Sequence, residues 1–335
     1  MAARQILMAV IESSYGTAKT SPTLGTDSFY LRLDQDNAFT MEADPVQQPI
    51  SYGGGLEIEG DVVADLVECK GAFSFTLWPG VWSSVLLNWA LTTINSGRTA
   101  PWTTTDANNV MPVGDLASLS FYHAYLTEDG STYKRTRYAG CKAENITLAA
   151  SETGQGRIWK LSGNVTGIKP VGNPWDSSTD PTSTEFPLPA ETNYPTGPYT
   201  FGHLGSGTGT VTVGTNRAAS CMSLSLSVKN TLTPNYYASR FLSTHRFVGR
   251  QTTADLTLLY KSTPDDRGSY RSLSPLATSF KIDNGVNSIA LSFNGKNVIR
   301  PWKRALPNAQ QYQQQLTIAN RWDPSAATDI TLTTA

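Results

Sequence analysis

Apolar and polar residues alternate with a period of two through most of this chain, a pattern that suits strands with one buried and one open face. Phe29, Leu31 and Leu33 alternate with Tyr30, Arg32 and Asp34, and Phe73, Phe75 and Leu77 with Ala72, Ser74 and Thr76. Met222, Leu224, Leu226 and Val228 enclose Ser223, Ser225 and Ser227. Similar faces recur at Leu119–Tyr125, Trp159–Val165, Ala254–Tyr260, Ile289–Phe293 and Leu316–Ile318. Antiparallel sheets packed on one side follow. One segment departs from the pattern. After Pro79-Gly80, residues Val81, Trp82, Val85, Leu86 and Trp89 recur with helical spacing and predict one amphipathic helix closing against a sheet.

Between residues 170 and 216 prolines and glycines crowd together with Trp175, Phe186, Tyr194, Tyr199 and Phe201. The aromatics need a surface to pack on, so this stretch reads as an extended arm draped on its own or a neighbouring domain. It divides the chain into residues 1–169, a first β domain with an N-terminal arm, and 217–335, a second with a C-terminal arm. Both halves run strand, long loop, strand, helix or helical turn, then further strands. The first starts at Phe29–Asp36 and Cys69–Trp78, the second at Ser220–Lys229 and Thr252–Tyr260, with a helical turn near Leu273–Ala277. A tandem duplication is one explanation and a single larger irregular β domain the other.

Composition narrows the function classes. The 335 residues carry 26 Lys+Arg against 27 Asp+Glu, and 32 Ser with 41 Thr outnumber all charged residues. Short neutral hydroxyls cost little to desolvate, so such a surface suits broad protein contacts. The near balance of charge argues against a general basic nucleic-acid binder. It is unevenly spread, however: residues 1–70 carry a net -7, 71–216 a net -2 and 217–335 a net +8. Opposite signs at the two ends suit head-to-tail contact between copies, although the halves could instead neutralise each other within one monomer. No apolar run is long enough to span a membrane. Cys69, Cys141 and Cys221 stand apart and read as reduced, buried thiols.

No catalytic constellation emerges, and neither a metal nor a cofactor is expected. His123, His203 and His245 lack metal-type spacing, and His123 falls on the apolar parity of its strand. The GSGTG run lacks the spacing of a nucleotide loop and reads as a turn entering the Thr210–Val213 strand. Asp265-Asp266 sits in STPDDRG, a turn sequence. Glu57, Glu59, Asp61 and Asp65 share one parity, so an extended chain presents four carboxylates on one face. That face is either solvated or met by a basic surface.

Taken in order, several segments resemble the tail tube proteins of long-tailed, siphovirus-type bacteriophages. The opening Glu12-Ser13-Ser14-Tyr15-Gly16-Thr17 is similar to the family's E-x-x-Y-G-T start, ahead of a first strand near Phe29–Leu33. The helix after Pro79, with Leu86, Leu87 and Ala90, is similar to the family's helix after its first strand pair. Gly140-Cys141-Lys142, then Ile146-Thr147-Leu148, Trp159–Val165 and Gly167 resemble a strand pair of the family. Ser223–Asn230 followed by Arg246–Tyr260 resembles its second-half strand, loop and strand.

The resemblance implies a mainly β fold of tail-tube barrel or sandwich domains with one flanking helix, and a virion structural protein made in the host cytoplasm. Its partner is itself: a ring of six tube domains, either a homotrimeric pseudo-hexamer or a homohexamer, with rings stacked head to tail. Tape-measure and tail tip or terminator proteins are implied as further partners, with no membrane. Genomic DNA passes through without specific binding. The polar parity of the paired strands then supplies lumen candidates: Asp34, Ser74, Thr76, Ser223, Ser225, Ser227, Asp255 and Thr257. Lys or Arg in a channel would form phosphate contacts, so hydroxyls and scattered carboxylates are expected there. The loop Val46–Asp65, with Tyr52, Gly53, Gly54, Gly55, Glu57, Glu59, Asp61 and Asp65, is the candidate inter-ring contact. A carbohydrate-binding, adhesin-like β-sandwich is the competing class, suggested by the tryptophans and hydroxyls.

Overall fold

The computed structural model describes residues 5–12, 14–33, 38–49, 62–91, 107–110, 116–127, 132–152, 157–172, 181–190, 197–205, 208–235, 244–259, 266–305, 312–321, 323 and 330–334. Strands β1 (Gln5–Ile11), β2 (Ser28–Leu31), β3 (Ala38–Pro49) and β4 (Val62–Thr76) precede α1 (Val81–Leu91). Next come β5 (Ala107–Val110), β6 (Leu119–Leu126), β7 (Tyr133–Ser151), β8 (Lys160–Gly167) and β9 (Lys169–Gly172). After β10 (Thr210–Val213) and β11 (Thr215–Asn216) follow β12 (Cys221–Asn235), β13 (Thr244–Leu259) and α2 (Asp266–Ser272). The chain continues through β14 (Thr278–Asp283), β15 (Ser288–Phe293), β16 (Val298–Ala305), β17 (Gln313–Asn320) and β18 (Ile330–Thr334).

The fold is mainly antiparallel β, as the alternation requires. Two readings change. The stretches expected to be long loops are largely paired strand: β3 with β4, and β12 with β13, form long hairpins. Pro45, Pro49 and Pro234 and the acidic residues of β3 interrupt the apolar alternation there, but the neighbouring strand still holds the backbone. The helical turn expected near Leu273–Ala277 lies about two turns earlier, as α2. Leu273 takes φ 53° just beyond the last helical residue and ends it. The expected single helix is therefore joined by this short second one.

Eight strands form one continuous antiparallel sheet in the order β3-β4-β8-β7-β12-β13-β17-β16. The long strand β7 serves two layers. Its second part pairs with β8 and β12, while its first part pairs with β6 and β9, and β6 continues to β1 and β2. A separate six-stranded sheet, β11-β10-β14-β15-β18-β5, draws strands from both halves of the chain and from the end of the arm. The apolar face of the eight-stranded sheet meets α1 and this second sheet. Leu148, Leu161 and Leu226 line one small interior void together with Leu87 and Leu91 of α1 and with Leu291 and Phe293 of β15. Trp89 is fully buried against Phe73 and Phe121, and its Nε1 donates to the Cys141 carbonyl at 2.7 Å.

The strand order repeats, β3-β4-β8-β7 and then β12-β13-β17-β16, and so do its irregularities. Val46 faces Leu66 and Gln47 faces Ala64, which leaves Asp65 as the extra residue of a bulge. Thr231 faces Gly249 and Leu232 faces Phe247, leaving Val248 in the same role. Ala143 faces Val165 and Ile146 faces Gly163, two intervening residues against one; Ile299 with Ile318 and Trp302 with Leu316 do the same. Aligning the bulges matches Ala38 with Ser223, Ser74 with Thr257 and Ile146 with Trp302.

The arm bridges the two halves of its own chain: its end pairs with β14 of the second half, and its earlier part packs on the first. Phe186 is buried between Tyr30 and Tyr122, with ring centroids 6.4 and 5.9 Å away, and Tyr30 Oη donates to the Pro187 carbonyl. Tyr199 N–H donates to Leu77 O at 2.9 Å while its carbonyl accepts from Trp159 N–H at 3.0 Å.

The opening motif closes the fold at one point. The Glu12 carboxylate accepts from Gly16 N (2.9 Å), Ser118 Oγ (2.5 Å), Ser120 Oγ (2.6 Å) and Gly140 N (2.7 Å). Gly16 and Gly140 have φ of +73° and +64°, and a Cβ on either would lie 2.4 Å from Ile168 Cδ1. Tyr15 Oη lies 3.1 Å from His245 Nδ1, and Lys142 Nζ sits 4.0 Å from the Tyr15 ring centroid. Removing the carboxylate strands four donors, so Glu12→Ala is expected to cost about 2–4 kcal/mol. Equilibrium urea unfolding reads this out; a change under 0.5 kcal/mol would refute the role given to Glu12.

Candidate assembly surface

The second face of the eight-stranded sheet carries the hydroxyl residues. Cross-strand partners trace rows along it, because residues directly opposite in register lie on one face. One row runs Ala38, Ser74, Ser162, Thr147, Ser227, Thr253 and Ala319. A second runs Thr76, Lys160, Ala149, Ser225, Asp255 and Thr317, and a third Ser151, Ser223, Thr257, Gln315 and Lys303. Seven of the eight lumen candidates therefore share one face: Ser74, Thr76, Ser223, Ser225, Ser227, Asp255 and Thr257. Asp34 lies outside the described residues.

This face differs from expectation in two respects. Thr76 is buried at its margin, so it offers no open hydroxyl. The face also carries Lys70, Lys160, Lys229 and Lys303, with Glu42, Asp44, Glu68 and Asp255 on the same parity, so lysines stand on a face expected to hold hydroxyls and scattered carboxylates. Their parity was readable beside Cys69 and Val228, which point inward. Thr317 Oγ1 donates to Asp255 Oδ1 at 2.5 Å. Ser223, Asp255, Thr257, Lys303 and Gln315 border a shallow depression of about 260 Å³. Among the described residues no group of three His, Cys, Asp or Glu could hold a metal ion.

Of the candidate inter-ring residues, Tyr52, Gly53, Gly54, Gly55, Glu57, Glu59 and Asp61 lie outside the described residues. Asp65 is the extra residue of the β4 bulge, so it belongs to a paired strand and not to an open loop. The outer strands each have a single strand partner: among the described residues β3 pairs only with β4, and β16 only with β17, with α2 packed against β16. Exposed Ala38, Thr40 and Glu42 mark the first edge, and exposed Pro301 and Lys303 the second.

Ionic groups that sequence reading did not connect hold the interior. Arg217 and Asp266, both buried, pair at 2.6 Å, and Asp266 also accepts from Gln314 Nε2 at 2.7 Å. The aspartate read as a turn residue is thus the anchor of α2. Lys142 is fully buried and donates to the His245 carbonyl at 2.9 Å. Burial, with the charges of Lys142 and Lys70 behind it, pushes the His245 imidazole down to about 3. Burial likewise lowers His123, which stands against Phe39 and Tyr125.

Among known proteins, a family described as phage tail tube protein matches residues 2–332. A solved chain from the virion of a native gene transfer agent particle is similar at 9% identity, with a TM-score of 0.27, covering 39% of this chain and 98% of that one. No curated protein matches.

Two measurements check the geometry. Ser227→Lys, on the open face, is expected to change stability by about 0.5 kcal/mol or less, whereas Leu226→Ala, one residue away, costs about 2–5 kcal/mol. Equal losses would reverse the assignment of faces. His245 takes up a proton more readily unfolded than folded, so its contribution to stability is complete above about pH 6.5 and is lost as pH falls towards 3. His245→Gln should flatten that part of the stability profile in thermal melts between pH 7 and 4; an unchanged slope would exclude His245 as its source.

Proposed function

The chain belongs to the phage tail tube protein family, and from that premise we propose that its copies close into rings that stack as the tube of a virion tail. It is a structural protein of that tail. The channel along the ring axis carries the genome during ejection, and tape-measure and tail tip or terminator proteins are its partners in the particle.

One observation carries the ring reading: a sheet whose outer strands each have a single strand partner among the described residues, built as two four-stranded units of the same order and register. An open edge is a row of unpaired backbone groups that invites another strand. A heterologous contact between unlike edges propagates in one rotational sense and closes a ring. Matching bulges support a tandem duplication, in which case three chains supply six units. The inner wall is the hydroxyl face, since the other face is the hydrophobic core.

Lysines on that wall refine the channel argument. Each offers one phosphate contact, which weakens as salt rises. Glu42, Asp44, Glu68 and Asp255 share that face with them, and the hydroxyls between offer no charge. Transit without a fixed grip follows from sparse, screened contacts in place of a lining free of basic residues.

Electron microscopy of the purified protein tests the reading. Rings or tubes of uniform bore, with a ring mass of three chains, are expected. The acid excess at one end of the chain and the basic excess at the other predict shorter tubes at 1 M salt, where the screening length is about 3 Å. Dispersed monomers under all assembly conditions would overturn the proposal.

A further inference from the structure

Resting on the ring reading, we infer that neighbouring chains join by antiparallel pairing of β16 of one copy with β3 of the next, in the register that sets Lys303 opposite Glu42. The template lies inside each chain. At the β7·β12 junction Thr147 faces Ser227 and Ala149 faces Ser225. Matching the bulges places Lys303 at the position of Thr147 and Ala305 at that of Ala149. The same match places Glu42 at the position of Ser227 and Thr40 at that of Ser225. Repeating the internal junction between copies therefore pairs Lys303 with Glu42 and Ala305 with Thr40.

Side-chain chemistry agrees with this register. Lys303 and Glu42 are both exposed and both belong to the hydroxyl face, so the pairing sets opposite charges directly across a strand boundary. A slip of one residue would turn β16 over relative to β3 and set its apolar parity toward the open face. A slip of two would bring Lys303 opposite Thr40 or Asp44.

The same register fixes the size of the closed wall. The row from Ala38 crosses to Ser227, four residues beyond Ser223, the residue that matches Ala38. Each four-stranded unit therefore climbs by four residues. Three chains give a barrel whose shear equals its strand number, the condition that tilts strands by about 36° in smaller closed barrels. With a strand spacing of about 4.8 Å, the backbone wall is about 45 Å across. Side chains of about 5 Å on each side leave a bore of about 35 Å, wide enough for duplex DNA.

Cysteine trapping in assembled tubes tests the register, and the buried native thiols stay out of the reaction. Full-length chains carrying Glu42→Cys alone and Lys303→Cys alone are assembled separately or mixed, then oxidised. Only the mixture should form covalent dimers, because the edges are unlike. The double variant should give covalent trimers and no larger species. Reversing the charge in Lys303→Glu should cut tube yield at least tenfold, and adding Glu42→Lys should restore it.

If Lys303→Cys cross-links instead to Thr40→Cys or Asp44→Cys, the register is wrong while the ring stands. Tubes that cross-link at none of these positions overturn the β16·β3 contact itself. A wild-type chain that forms no rings removes the ring reading beneath it.

Discussion

Backbone hydrogen bonding at the rim of a sheet governs this structure. Over their central segments the inner strands of the eight-stranded sheet are paired on both sides, whereas among the described residues β3 pairs only with β4 and β16 only with β17. A long antiparallel sheet with one apolar face buries that face against a second layer. Its apolar face is already occupied by α1 and the six-stranded sheet, so the curvature of the open face is free to continue into a neighbour. The rest of the chain serves to hold that sheet in one shape and register.

Charged and aromatic anchors do the holding. Glu12 ties the end of β1 to β6 and to the bend of β7 at Gly140, where β7 passes from one layer to the other. Lys142, two residues on, reaches the β12/β13 hairpin through the His245 carbonyl, and Asn230 Nδ2 donates to Ala143 O at 3.0 Å. The internal junction is thus fastened by side chains from both halves as well as by its ladder. Arg217 and Asp266 set α2 in place, and Phe186 pins the arm over Tyr30 and Tyr122.

Much of this was legible in the residues. Period two in Met222–Val228 and Ala72–Leu77 separates the faces correctly, and Trp82, Leu86 and Trp89 mark α1. Strand β3 was not legible, because Glu42, Asp44, Pro45 and Pro49 erase its alternation and only its partner β4 defines it. The arm's aromatics announced that they would be buried, but nothing local says that Phe186 meets Tyr30, since that contact spans most of the first half. The E-x-x-Y-G-T start was recognisable as a pattern, whereas its work at Gly140 and His245 depends on contacts more than a hundred residues away. The lumen candidates shared a face because parity survives folding; Thr76 is buried because a strand margin depends on what covers it.

The two kinds of junction differ in a way that their chemistry reflects. Inside a chain, β7 and β12 are tethered, so each meets the other at a high effective concentration that no wrong partner shares. A neutral pair, Thr147 with Ser227, is enough there. In the proposed ring, β16 and β3 of neighbouring copies have no tether and would select each other from solution among several registers, and Lys303 and Glu42 stand at their matching positions. Eight is also an even number. Strand direction alternates along the sheet and arrives at the last edge opposed to the first, so copies can follow one another around a circle without any seam where two strands run the same way.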